Sequence, residues 1–165
     1  MNGVIFRPCR VTDAPGLAKI YHRAVHEGAG RHYSAEQCKA WSPAPPMDEG
    51  WRRRLIEAQT IVAEQGDALL GFMTVDIATG WVDFAYITPE VMGQGVADTL
   101  YAIVEGRARS AGLRDLETEA SLLGERFFRR HGWRVITRNQ ITRDGITMPS
   151  ALMRKPLARA RFAAA

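Results

Sequence analysis

The stretch Tyr86-Ile87-Thr88-Pro89-Glu90-Val91-Met92-Gly93-Gln94-Gly95-Val96-Ala97 decides how this chain reads. The aromatic and β-branched residues ahead of Pro89 predict a strand. The apolar positions Val96, Leu100, Ile103 and Val104 recur at helical spacing and predict a helix to about Ser110. A strand thus delivers the chain into a loop with two glycines, and the loop opens a helix. A helix start presents unpaired N–H groups and a partial positive charge. Glycine lets main chain approach a ligand closely. Together these make a seat for an anion of about pyrophosphate size. The loop alone also fits a plain strand-to-helix turn shaped by Gly93 and Gly95. Two other phosphate patterns fail on residues: no Gly-Lys-Ser/Thr is present, and Asp98 stands where the dinucleotide fingerprint needs its third glycine.

Upstream, Val4 to Arg7 reads as a strand. Thr12 or Asp13 then caps a helix with Leu17, Ile20, Tyr21 and Val25 on one face, which ends at Gly28-Ala29-Gly30. Ser34, with Glu36-Gln37 in the first turn, opens a short helix through Trp41. Pro43, Pro45 and Pro46 make a stiff connector to an Arg-rich helix over 49–58. Strands are predicted at 60–64, 68–76 and 81–88, with turns at Gly66-Asp67 and Thr79-Gly80. Downstream come a strand near 116–119, a helix over 122–130 stopped by Gly132, and a hairpin over 133–154 turning at Asp144-Gly145. No repeat or linker divides the chain, so one domain over 1–157 is expected, with a frayed Ala/Arg-rich tail at 158–165. The fold class is mixed α/β with a largely antiparallel sheet.

Composition narrows the function. The 165 residues suit one domain with its own core, and 22 Lys+Arg against 18 Asp+Glu give a net charge of +4. That charge suits a polyanionic cofactor and is also common on soluble surfaces. No helix-turn-helix, zinc knuckle or aromatic RNA motif accompanies it, so a nucleic-acid partner is not expected. No apolar run approaches the ~20 residues of a membrane span, and no signal peptide is evident, so a cytoplasmic protein is expected. The two cysteines, Cys9 and Cys38, fit a reducing compartment, although one bridge stays open.

The central loop resembles the acyl-CoA motif of the GNAT acetyltransferase superfamily, Gln/Arg-x-x-Gly-x-Gly/Ala, with Gly95 and Ala97 in the last two fixed places. The preceding Tyr-Ile-Thr-Pro, the following amphipathic helix, Glu119-Ala120-Ser121 and Phe127-Phe128-Arg129-Arg130-His131-Gly132-Trp133 match that family's order. The segment from Tyr33 to Trp41 and the Met148-Pro149 hairpin resemble one uncharacterised subgroup. The resemblance covers roughly residues 5–157. It implies a sheet of six or seven strands, splayed between the fourth and the fifth. The pantetheine arm of acetyl-CoA would pair like an added strand with Ala85, Tyr86 and Ile87. Main chain from Met92, Gly93, Gln94, Gly95, Val96 and Ala97 would hold the pyrophosphate. Three positions depart from the family's usual residues: Met92 replaces Gln or Arg, Ser121 replaces Asn, and Phe128 replaces the Tyr that many members use to protonate the departing thiolate.

Acetyl transfer to an amine needs a base, a donor for the oxyanion and a leaving thiolate. Asp83 is the candidate base, read as sharing a strand face with Trp81, Ala85 and Ile87, though a salt-bridged carboxylate fits the sequence equally. Ser121 is a second candidate, as a donor to pantetheine or thiolate, or simply as a helix cap. Trp41 and Trp81 are candidates to line an acceptor pocket, or core aromatics. The resemblance adds His26, Glu27 and Tyr33 as selectivity residues. His22 and His26 share a helix face, but Arg23 breaks the metalloprotease pattern and no metal is expected. The sequence therefore points to an N-acetyltransferase acting on an amine of a small molecule or peptide, in which two copies pair as the family often does. An acyl-CoA-binding sensor without catalysis is the competing expectation.

Overall fold

The computed structural model describes residues 3–157, so the expected frayed tail from Ala158 lies outside the described residues. Strands β1 (Val4–Pro8), β2 (Ile61–Gln65), β3 (Ala68–Met73) and β4 (Ala85–Ile87) form one antiparallel sheet in the order β1-β2-β3-β4. Strands β5 (Asp115–Ala120), β6 (Arg134–Arg143) and β7 (Ile146–Pro156) form a second, in the order β5-β7-β6. At the β6–β7 turn, Asp144 and Gly145 take φ of 49° and 77°, the left-handed pair that suits the twist of a two-residue hairpin.

Five α-helices cover the sheets. Helix α1 (Ala14–Arg23) runs on into a π-helical turn over Ala24–Gly28 and a 3-10 turn over Ala29–Arg31. Helix α2 (Ala35–Trp41) has the expected capping box, with Ser34 Oγ accepting from Gln37 N at 3.1 Å and Ser34 N donating to Gln37 Oε1 at 2.9 Å. Helices α3 (Glu49–Glu57), α4 (Val96–Ser110) and α5 (Leu122–Arg130) follow their predicted ranges closely. Helices α1 and α3 and the π-helical turn bury Leu17, Trp51, Leu55 and Val25 against Val62, Phe72 and Phe84 on one face of the first sheet. Helices α4 and α5 bury Leu100, Val104 and Phe128 against Met73, Val82, Leu116 and Met153 on the other side. Burying these apolar side chains is the main stabilising term.

A short parallel contact joins the sheets. Val82 N donates to Glu117 O at 2.8 Å, Glu117 N donates to Gly80 O at 3.0 Å, and Thr118 Oγ1 donates to Val82 O at 2.7 Å. Beyond it β4 and β5 part, which is the expected splay between the fourth and fifth strands. The predicted strand over 81–88 is regular only at Ala85–Ile87, and the reason is a bulge. Thr74 N donates to Phe84 O and Asp76 N to Trp81 O, both at 2.9 Å, so two residues of advance oppose three. The extra residue shifts the alternation of faces. Trp81 and the Asp83 carboxylate lie on the α3 side, whereas Ile87 packs on the α4 side. The expectation that Trp81, Asp83, Ala85 and Ile87 share one face is corrected accordingly.

Gly80 allows the parallel contact. Its φ is +80°, and a Cβ there would lie 2.5 Å from Asp115 O. We expect Gly80→Ala to cost more than about 2 kcal/mol in urea unfolding, combining a left-handed backbone penalty with a main-chain clash.

Glu105 on α4 anchors β7, where Lys155 Nζ reaches it at 2.6 Å, and it also meets the Tyr101 hydroxyl and Arg109 Nη2. Burial pushes this carboxyl up, but hydrogen bonds from Lys155, Tyr101 and Arg109 outweigh burial and hold it at about 2, below its ordinary 4.5. A depressed carboxyl stabilises the fold above its unfolded value and loses that contribution as pH falls through its folded value. The urea midpoint should therefore drop between pH 4.5 and 2, and drop less steeply in Glu105→Gln, as unfolding followed by fluorescence at several pH values would show.

Candidate active site

The loop between β4 and α4 folds as its glycines dictate. After Thr88 the chain makes a 3-10 turn over Pro89–Val91, and Gly93 and Gly95 take φ of +77° and +82°. Gly95 is the N-cap of α4 and offers no side-chain acceptor. The first intrahelical bond is Thr99 N to Gly95 O at 3.0 Å, so the N–H groups of Val96, Ala97 and Asp98 have no partner within the helix. A cleft of about 690 Å³ lies at this helix start, lined in part by Met92, Gly93, Gly95, Ala97 and Asp98. The side chain of Val96 turns into the core, and that of Gln94 braces the loop by donating to Glu90 O at 2.7 Å. Met92 is 45% exposed at the loop's edge and brings no charge. Asp98, in the helix's first turn, is met by His131 Nε2 at 2.9 Å and Arg130 Nη2 at 3.6 Å.

The cleft continues along β4, the end strand of its sheet. Thr88 N donates to Leu70 O at 2.8 Å and Thr74 N to Phe84 O. In an antiparallel ladder this parity turns the main chain of Tyr86 toward β3 and that of Ala85 and Ile87 outward, into the splay. On the far wall, Glu117 uses its main chain toward Gly80 and Val82, so Glu119, two residues on, faces the same gap. An extended ligand entering there meets unpaired amides as a sheet edge offers them.

A second cavity, about 610 Å³, opens on the α1–α3 side. Trp41, Asp83, Tyr86, Glu119 and Ser121 line both spaces, so the two meet at the splay. Asp83 accepts from Arg54 Nε at 3.1 Å and Nη2 at 2.7 Å, and the Arg54 guanidinium lies 4.5 Å from the Phe84 ring centre. Glu119 accepts from Asn139 Nδ2 at 3.0 Å. Ser121 caps α5, its Oγ accepting from Gly124 N at 3.0 Å. Burial pushes the Tyr86 phenol well above its ordinary value of 10.

The remaining candidates divide. Trp81 lines the second cavity, and Trp41 stacks edge-on against Tyr33 at 5.4 Å. The Tyr33 hydroxyl accepts from Leu122 N at 2.9 Å and donates to Pro149 O at 2.8 Å, tying α5 to β7. His26 and Glu27 line neither cavity: His26 Nε2 meets Ser42 O at 2.9 Å, and Glu27 pairs with Arg23 at the surface. Phe128 lines the first cleft yet is only 3% exposed, packed 4.7 Å from Trp133. Sequence reasoning missed Glu119, Arg54, Arg143 and Ser150 as lining residues. Of these only Glu119 carried a signal, since it alternates with Glu117 along a strand. Among the described residues no group of three His, Cys, Asp or Glu could hold a metal, no helix is long and apolar enough to cross a membrane, and Cys9 and Cys38 are both free.

This geometry is shared with known proteins. A family model described as an acetyltransferase (GNAT) domain matches residues 30–155. An uncharacterized N-acetyltransferase of Escherichia coli, YafP, is 28% identical over 155 residues, which are 93% of this chain and 97% of that one. A crystal structure of a GCN5-related N-acetyltransferase from Rhodopseudomonas palustris superposes with a TM-score of 0.87 at 26% identity, covering 95% of this chain and 98% of the other. The acetyl-CoA complex of yncA, a putative acetyltransferase from Salmonella typhimurium, superposes with a TM-score of 0.69 at 18% identity, covering 98% of each chain. With a glycine-capped helix start, a splayed strand pair and a family model over most of its length, the chain belongs to the GNAT family and is an acetyl-CoA-dependent acetyltransferase.

Proposed function

We propose that the enzyme moves acetyl from acetyl-CoA to a primary amine of a small molecule, by direct attack of the amine on the thioester. The observation that carries this reading is the meeting of two cavities at the splay, with Asp83, Glu119 and Ser121 at the junction. The unpaired N–H groups at the start of α4 suit the pyrophosphate, and the outward main chain of Ala85 and Ile87 suits the pantetheine amides. On this reading the thioester lies at the junction, where the Ile87 N–H serves as donor to the developing oxyanion. The acceptor arrives through the second cavity. An alkylamine has a pKa of about 10.4 and must lose a proton first, and Asp83 takes it directly or through water. Phe128 has no hydroxyl to protonate the leaving group. A thiolate, with a pKa of about 8.5 in cysteine, can depart unaided, and the Ser121 hydroxyl, which lines both cavities, is a candidate donor to it.

The same centre supports a second reading, an acyl-CoA sensor without turnover, because Arg54 already holds Asp83 and Phe128 supplies no acid. We also propose that residues 1–157 act as one domain, since both cavities take their walls from both sheets. Pairing of two copies through the outer edge of β6, where Ile136 is exposed, is a further proposal that sedimentation would test.

Free-thiol detection with acetyl-CoA and an amine panel separates the two main readings. Asp83→Asn should lower kcat by about 10²-fold or more while CoA binding by calorimetry stays intact. Equal turnover in the variant would remove Asp83 from the role of base. Gly95→Val should weaken CoA binding at least about tenfold, since a branched residue resists φ of +82° and disturbs the helix start. Unchanged affinity would move the pyrophosphate elsewhere.

A further inference from the structure

The acceptor cavity has more recognition chemistry than a bare amine requires. Two lining features have no part in the reaction described above. Arg143, at the tip of the β6–β7 hairpin, lines the cavity and donates through Nη1 to Trp41 O at 3.0 Å. Among the described residues no carboxylate pairs with it, whereas the cavity's other guanidinium, Arg54, is held by Asp83. The second feature is Ser150 on β7. It also lines the cavity, is 5% exposed, and its Oγ is a buried polar atom with no hydrogen-bond partner. A buried hydroxyl left unpaired costs free energy, and such an orphan beside a cavity marks where a ligand or a water completes the bond.

The register locates the two features relative to each other. Ser150 sits opposite Asn139, and the Asn139 amide holds Glu119. The orphan hydroxyl therefore belongs to the amine end, with Glu119 and Asp83. Arg143 lies four residues further along β6, about 14 Å of strand at ~3.4 Å per residue, less the reach of its own side chain. Trp51, Trp81, Phe84 and Tyr86 give the same cavity aromatic walls. A guanidinium is a fork for carboxylate or phosphate oxygens.

We propose that the acceptor is a linear amine carrying an anionic group several bonds away, with its amine between Asp83, Glu119 and the Ser150 hydroxyl and its anion on Arg143. The aliphatic chain lies along the aromatic wall. A monoamine lacking the anion leaves Arg143 without its partner, and an α-amino acid holds its two charges too close together to reach both ends. This rests on the acetyl-transfer reading above and adds the substrate class to it.

The test uses matched pairs: ω-amino carboxylates of graded chain length, their ω-amino phosphonate counterparts, the equivalent monoamines, and α-amino acids. Each is measured by thiol release and, separately, by thermal shift with CoA present, which reports acceptor binding without turnover. We expect the anionic member of a pair to exceed its monoamine by more than tenfold in kcat/KM, chiefly through KM, with a clear optimum in chain length. The carboxylate and phosphonate arms tell which anion is taken. In Arg143→Ala the ratio within each pair should fall to near one, and Arg143→Lys should restore part of it. Ser150→Ala should weaken binding of both members of a pair alike. No preference for the anion in either readout, or a ratio unchanged in Arg143→Ala, overturns the proposal. Anion-dependent binding with no thiol release from any amine would sustain it and sink the catalytic reading instead.

Discussion

Among the described residues, the main chains of the two sheets join at one end and part at the other, and the shape of the candidate site follows from that. Gly80, Val82 and Glu117 exchange main-chain hydrogen bonds in a parallel sense, after which the bulge at Asp83 and Phe84 turns β4 away from β5. Among the described residues, two strand edges are left facing each other without strand partners. Soluble proteins usually cover such edges, because unpaired main chain recruits other strands. Here the edges lie inside the molecule, between α4 and α5 on one side and α1 to α3 on the other, so what they recruit is an extended ligand. The bulge also sends the Asp83 carboxylate to the acceptor side while Ile87 stays on the cofactor side. On the proposed reaction, one extra residue thus separates the group that handles the proton from the main chain that handles the thioester.

Electrostatics at the head of α4 are balanced rather than simply positive. The free N–H groups favour an anion, but Asp98 stands in the same first turn. An acidic residue there stabilises an isolated helix and competes with a phosphate for the same dipole. His131 and Arg130 meet Asp98 from the end of α5, which leaves the amides free for the ligand. With Met92 at the loop's edge bringing no charge, the proposed grip on pyrophosphate falls on main chain. Main-chain donors are fixed by the fold and lose no side-chain entropy on binding.

Much of this was legible in the sequence, and the failures have physical causes. Helix periodicity, the Ser34 capping box, the Asp144-Gly145 turn and the glycines around Gln94 are local signals, and the structure follows each of them. The bulge was invisible, because it is set by how Thr74 and Asp76 register against Trp81 and Phe84 across a turn. Strict alternation then placed Ala85 and Ile87 on the wrong face relative to Asp83. Arg143 and Ser150 belong to a hairpin that local rules describe well, but their meeting with Trp41 and Trp51 is a long-range event. His26 and Glu27 came from the resemblance alone; the turn that holds them lines the first cavity through Ala24, Val25 and Gly28, while His26 bonds to Ser42 O and Glu27 to Arg23.

The junction has two carboxylates, and their restraints differ in kind. Asp83 is held by a cation, Arg54, whereas Glu119 is held by the neutral amide of Asn139. The charge of Asp83 is therefore largely offset within the protein, while that of Glu119 is offered to whatever enters. An ammonium arriving at the junction is attracted chiefly by Glu119, and its proton must leave before the nitrogen can attack. Once acetylated, the nitrogen is a neutral amide and the attraction is gone. On the proposed reaction, the same unbalanced carboxylate that draws the acceptor in ceases to hold the product, so the charge that favours binding does not slow release. A cation in place of Asn139 would cancel that asymmetry, and the arrangement explains why the two acidic residues at one site have partners of unlike charge.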